Sequence, residues 1–427
     1  MTDITISREQ AGLAETWQPP KRPEWVQRIN DEGRGMDIRG IVPLDADSLI
    51  RTAIENTGLS DFGAEDWREP FEVYVRALEE EAALTLIGRI RIRQEVLYFL
   101  QGHLEIEDWY KRHPEIEDEQ IVAPILLTGQ GRSGTSFLQN VMAENPDHKS
   151  LRHWEMLFPC PPPEAATYRT DPRIAKADEF VKQWERVVPE IAGMHEYGGD
   201  VPFEDTVMMS LNFTSDAWLC AIAQVPSYAM FMAKIGPESA FRYHKRVLKL
   251  LQWRNPRKHW VLKDVFHLSR LPAFLEAYPD ACIVWSHRDP VRASASMVNL
   301  IGCMWWAGSD VPLQAGALDY CKDPAVSAAR FNMVIDQIEN GDIPRDRIFS
   351  IQYKDLVRDP LATVASIHDY FGIPLTEHGR AGMETYLREN PRDNRPPHRY
   401  PIPEGEALVE ARRVYERYQS YFNVPTE

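Results

Sequence analysis

A chain of 427 residues, 44% hydrophobic and 26% charged, is composed as a globular protein and is too apolar to be a disordered one. Its net charge of −16 argues against nucleic acid and anionic membranes as partners, so any anionic ligand must be held by a local group of basic side chains. Five scattered cysteines without a C-x-x-C spacing exclude a disulfide framework or a thiolate zinc site.

The chain opens without a basic start or an apolar run, and no later stretch is apolar enough to span a bilayer, so a cytoplasmic location is expected. The first forty residues are rich in Pro, Gly and charge and predict an arm lying on the body. From about Asp45 to Lys111 apolar residues recur at spacings of three and four, which predicts an amphipathic helical layer. Arm and layer are placed at residues 1–115, ahead of an α/β domain at 120–427.

At Pro124 the period changes. Ile125-Leu-Leu-Thr128 reads as a buried strand, followed by a glycine-rich turn and a helical spacing from Phe137. Further strand–helix pairs are Trp260–Lys263 with Leu271–Ala277, Ala281–Trp285 with Pro290–Leu300, and Ile348–Tyr353 with Leu361–Phe371. The expectation is a P-loop-like, doubly wound α/β fold: a mainly parallel sheet flanked by helices, with its ligand at the C-terminal strand ends. The segment 157–257 is more than the sheet needs and predicts a helical cap. A second irregular piece is expected at Gly302–Asp323. Met208, Met209, Trp218, Trp305 and Trp306 incline the reading toward an apolar acceptor pocket.

The turn Gly129-Gln-Gly-Arg-Ser-Gly-Thr-Ser136 carries the chemistry. Between a buried strand and a helix, its backbone N–H groups and the helix dipole make an anion cradle. Gly129 and Gly134 have the spacing of a Walker A loop, but Thr135 stands where its lysine belongs, and the cation is Arg132 inside the loop. That argues against ATP–Mg²⁺ chemistry. Thr135 also breaks the G-x-S-x-G elbow of serine hydrolases.

These residues, Gly131, Arg132, Ser133, Gly134, Thr135 and Ser136, resemble the 5′-phosphosulfate loop of sulfotransferases that use 3′-phosphoadenosine 5′-phosphosulfate (PAPS). Arg288, with Ser296 eight residues on, is similar to that family's second signature. Leu262-Lys-Asp-Val-Phe-His-Leu268 and Ile351-Gln-Tyr-Lys-Asp-Leu-Val-Arg-Asp-Pro360 match two more of its segments, with Lys354 replacing the usual acid. The pattern lies closest to the bacterial and tyrosylprotein branches. The resemblance implies PAPS as donor, the bisphosphate PAP as product, no metal, and in-line transfer to a hydroxyl. The acceptor could be a small molecule, lipid or carbohydrate.

The resemblance also implies roles. Arg288 and Ser296 would hold the 3′-phosphate, Tyr353 and Phe137 the adenine, and Arg399 in a late Pro-rich loop a further phosphate contact. Lys263 and Arg132 would stabilise charge on the leaving group. Val265 stands where the cytosolic branch keeps a histidine, so the general base falls to Glu155, which matches the glutamate of the tyrosylprotein branch, with His153 and His267 in reserve. The rival readings are a P-loop kinase of a small metabolite and a non-catalytic nucleotide-binding protein.

Overall fold

The computed structural model describes residues 17–311, 313, 318, 323–391 and 405–427. Its strands are β1 (Ile125–Gly129), β2 (His148–Lys149), β3 (His259–Lys263), β4 (Cys282–His287) and β5 (Ile348–Gln352). They form one sheet in the order β2-β3-β1-β4-β5, with every neighbouring pair parallel. Four of them lie where the apolar runs place them. Two-residue β2 has no run of its own and owes its place to pairing with His259 and Trp260.

Successive side chains of the strands feed opposite faces, as a sheet covered on both sides requires. Ile125, Leu127, Val261 and Val284 enter a small core with Leu138, Val141, Val364 and Met383 from the helices Thr135–Met142, Pro360–Phe371 and Glu377–Glu389. Leu126, Leu262, Ile283 and Trp285 enter a much larger one. That larger core runs without a break from Val26 to Val424, so the N-terminal helices and the cap are packed as one body.

Residues 1–16 of the arm lie outside the described residues; the remainder includes a helix, Glu24–Gly33, behind Pro23. Just before it, Arg22 donates to the carbonyls of Trp306 (2.6 Å) and Ser309 (2.7 Å). The helical layer follows as Ala46–Thr57, Arg68–Glu80 and Leu86–Arg112, the first and third capped by Asp45 and Thr85. The piece expected to be irregular from Gly302 is still helical to Trp306, the end of the helix Pro290–Trp306. Met208, Met209, Trp218 and Trp305 are buried in the larger core, and Trp306 stacks under Arg22, so these side chains fill the body rather than line a pocket. Among the described residues no helix is long and apolar enough to cross a membrane.

What this topology does for function is bring strand ends together. Chain order reverses direction across the sheet at β1, whose neighbours are β3 and β4. Gly129 is in register with Ser286, and Leu127 with Lys263. The C-terminal ends of three adjacent strands therefore open onto one crevice, where doubly wound folds bind ligands.

Candidate active site

The loop after β1 is built on left-handed backbone at Gly129 (φ +138°), Arg132 (φ +72°) and Gly134 (φ +92°). A Cβ at Gly129 would collide with the carbonyl of Ser286 on β4, and one at Gly134 would lie 3.0 Å from the Tyr353 ring. Arg132 holds its conformation without that freedom because its side chain is tied at both ends. Nε donates to Ser296 Oγ (2.9 Å), and Nη1 to the carbonyl of Met194 in the cap (2.5 Å). Ser286 Oγ donates to Ser133 O (2.6 Å), fixing the loop to β4. Ser133 Oγ is buried and has no partner among the described residues. Thr135 and Ser136 open the helix Thr135–Met142, whose N-cap is Gly134.

A second cationic seat adjoins the loop. Arg288, one residue past β4, donates from Nη1 to the carbonyl of Arg132 (3.0 Å) and lies over the Tyr353 ring at 4.3 Å. Its remaining fork meets the Glu427 side-chain carboxylate, from Nε at 3.1 and 3.2 Å and from Nη2 at 3.0 Å. Asp289 caps the helix Pro290–Trp306 and pairs with Arg412 (3.0 Å), so the start of that helix is fixed. Arg132, Gly134, Arg288, Ser296 and Tyr353 thus converge on one loop. Ser296, expected to hold the 3′-phosphate, accepts a hydrogen bond from Arg132. Arg399 lies outside the described residues.

The third wall is Lys263, the last residue of β3. Its backbone N–H donates to Asp205 Oδ1 (2.6 Å), and its ammonium is bonded to Glu204. Glu204 keeps 22% of its side chain exposed, against 4% for Lys263. His195 is close to the same group: burial first, then the Lys263 charge, push its imidazole down to about 4. Its Nδ1 bonds the Glu196 carbonyl at 3.1 Å, a contact that by itself favours the protonated ring and is outweighed by the burial and the Lys263 charge. A cation and a partly exposed carboxylate beside it are the elements that proton abstraction with charge stabilisation requires.

Behind Lys263 lies a buried cluster of Asp205, His244 and His267. Asp205 Oδ2 is 2.7 Å from His267 Nε2 and 3.0 Å from His244 Nε2, and His244 Nδ1 meets the Tyr278 hydroxyl at 2.7 Å. Ligand atoms around one tetrahedral zinc stand about 3.4 Å apart, wider than these spacings; His267 Nε2 bonds Asp205 directly, and His244 Nε2 lies at ion-pair distance from it.

Glu155 corrects the sequence reading. It is fully buried, and both oxygens are taken: Oε1 by Lys149 Nζ (2.9 Å), Oε2 by the Arg152 N–H (3.1 Å) and the Tyr168 hydroxyl (3.0 Å). It closes the N-terminus of its own short helix His153–Leu157 and cannot meet an acceptor hydroxyl. His153, one of the reserves, is buried on Phe203 with ring centroids 4.0 Å apart. His267, the other, is committed to Asp205. The residues missed by sequence are His195, Glu204 and Asp205. The adjacent acids Glu204-Asp205 before an apolar run were legible, but as an ordinary acidic helix start.

The Sulfotransferase family profile matches residues 124–377, which is more than half of the chain. An omega-hydroxy-beta-dihydromenaquinone-9 sulfotransferase of Mycobacterium bovis is 21% identical over 286 residues, covering 64% of this chain and 69% of that relative. The crystal structure of sulfotransferase STF9 from Mycobacterium avium superposes with a TM-score of 0.78 at 25% identity, over 90% of this chain and 98% of the other. Sulfotransferase STF1 from Mycobacterium tuberculosis gives 0.72 at 26% identity, over 87% and 98%. A match that takes in the loop, both flanking strand ends and the sheet between them leaves one conclusion: the chain belongs to the sulfotransferase family.

Proposed function

We propose that the protein moves a sulfuryl group from PAPS to a hydroxyl of an apolar or amphipathic acceptor, and that Glu204, not Glu155, takes the hydroxyl proton. The observation that carries the reading is the pairing of two anion seats: a phosphate loop with Thr135 in place of the Walker lysine, and Arg288 bonded to that loop's own carbonyl. Two seats side by side suit a donor with a 5′-phosphosulfate and a 3′-phosphate, and suit a nucleoside triphosphate poorly. The backbone N–H groups from Gly131 to Ser136 cradle the phosphosulfate. Arg288 holds the 3′-phosphate over Tyr353, with Arg399 as a further phosphate contact and Tyr353 beside the adenine. Ser296 acts by holding Arg132.

In the transfer, a bond forms between the acceptor oxygen and sulfur as the bond from sulfur to the bridging phosphate oxygen breaks. Lys263 and Arg132 balance the charge that builds on the leaving oxygen, and PAP departs. The acceptor proton passes to Glu204, which the turning of Lys263 toward the donor would release. The relative named for a hydroxylated menaquinone supports an acceptor of apolar character.

PAP is expected to raise the melting temperature well above any shift given by ATP–Mg²⁺; the reverse order would refute the donor assignment. With labelled PAPS and a panel of hydroxylated lipids, phenols and sugars, Glu204→Gln is expected to lower turnover by about 10²–10⁴-fold with PAP binding intact. Unchanged turnover would remove Glu204 as the base.

A further inference from the structure

The proposed chemistry uses Lys263 and Glu204 but leaves unexplained the titratable groups packed behind them. Asp205, His244 and His267 are each no more than 1% exposed, a costly place for charge unless every member is matched. The Asp205 carboxylate is matched by His267 and by the Lys263 N–H, in a chain that ends on Lys263. We propose that Asp205 is a positioning residue for the reaction: it holds Lys263 and Glu204 in mutual register, and His267, His244 and Tyr278 brace it, while it touches neither donor nor acceptor. The inference rests on the reading of Lys263 and Glu204 given above.

The geometry is specific to that pair. Asp205 Oδ1 accepts the backbone N–H of Lys263, the residue whose ammonium leaves the strand end. Asp205 is also the first residue of the 3-10 turn Asp205–Asn212, of which Glu204 is the N-cap, so fixing Asp205 fixes the base of the Glu204 side chain. One carboxylate therefore pins both members of the ion pair, one through its N–H and the other through the chain. Oδ2 is held by His267 and His244, and His244 in turn by Tyr278. Burial opposes the His267 cation, but Asp205 outweighs it and holds its pKa above the ordinary value. The same partners keep Asp205 ionised against its own burial. Burial lowers the His244 pKa, which is consistent with a neutral ring that lies against Asp205 at Nε2 and bonds the Tyr278 hydroxyl at Nδ1. Displacement of a reacting group by about 1 Å can cost about 10²-fold in rate, which makes such a brace consequential.

The test is a double-mutant cycle in the full-length protein. Asp205→Asn keeps the shape and one acceptor for the Lys263 N–H but removes the charge that His267 requires. Single-turnover transfer from saturating labelled PAPS is expected to fall about 10–100-fold, while the calorimetric Kd for PAP stays within about twofold. In a Lys263→Ala background the same substitution is expected to cause no further loss, because its effect runs through that lysine. Tyr278→Phe perturbs only the far end and is expected to give a few-fold loss, again absent without Lys263; it serves where Asp205→Asn does not fold. Losses that multiply in the double variant would overturn the positioning role and leave the catalytic reading standing, as would full turnover in both single variants. Full turnover in Lys263→Ala alone would overturn the catalytic reading and the inference with it.

Discussion

Replacing Glu155 by glutamine is expected to cost stability rather than chemistry. Lys149 and Glu155 are an ion pair with side chains 2% and 0% exposed, so the substitution strands an ammonium in the interior. Breaking one partner of such a pair costs about 3–5 kcal/mol. For a chain of 427 residues, an unfolding entropy of about 2.1 cal/mol/K per residue gives roughly 0.9 kcal/mol per kelvin, hence a melting temperature lower by about 3–6 °C. Burial already lowers the Lys149 pKa, so its deprotonation places the result toward the small end of that range. The assay is a thermal melt of Glu155→Gln beside wild type, with turnover measured some 20 °C below the lower midpoint. Turnover there is expected within a few-fold of wild type. A Lys149→Met, Glu155→Met double variant is expected to recover part of the lost stability, since replacing a whole buried pair is far cheaper than breaking it. An unchanged melt with abolished turnover and intact PAP binding would refute this reasoning and return Glu155 to proton abstraction.

Two further outcomes follow from the same geometry. The Glu427 carboxylate stands in the fork of Arg288, with the two side chains 15% and 30% exposed. A partly exposed pair of this kind is worth about 0.5–1 kcal/mol, so Glu427→Gln is expected to tighten PAP by about 2–5-fold in calorimetry. Unchanged or weaker binding would take the 3′-phosphate away from Arg288. The second concerns pH. His148, His153 and His287 are buried with pKa values pushed down to about 3, chiefly by burial, and His195 to about 4, against an ordinary value of 6.5. In the unfolded chain these rings take up protons below about pH 6.5 that the native state refuses until about pH 4 to 3. Stability is thus expected to fall as pH drops through that window. His267, with a raised pKa, acts oppositely and loses its contribution as pH rises through its folded value. Urea midpoints at pH 7 and pH 5 check the sign; equal midpoints would mean that the buried rings are charged or hydrated.

The sequence by itself determined four strands of the five-stranded sheet and the phosphate loop. Short apolar runs ended by glycine or by charged residues admit few structures other than buried parallel strands, and the spacing of Gly129 and Gly134 with Arg132 between them is a local property of consecutive residues. Arg288 and Tyr353 were also legible, since each immediately follows a strand whose place in the sheet the alternation implies. Where local pattern ran out, the reading failed. Glu155 matched the tyrosylprotein-branch glutamate in sequence, but Lys149, Arg152 and Tyr168 come from both sides of it and hold it in a structural ion pair. The Met- and Trp-rich cap looked like a pocket, yet those side chains meet the N-terminal helices and complete a core. Only the tertiary structure set Glu204 on Lys263, 59 positions apart, and Asp205 between Lys263 and two histidines, His267 being 62 positions away. Burial and ion pairing are properties of what packs around a residue, and that is decided by chain segments distant in sequence, not by its neighbours along the chain.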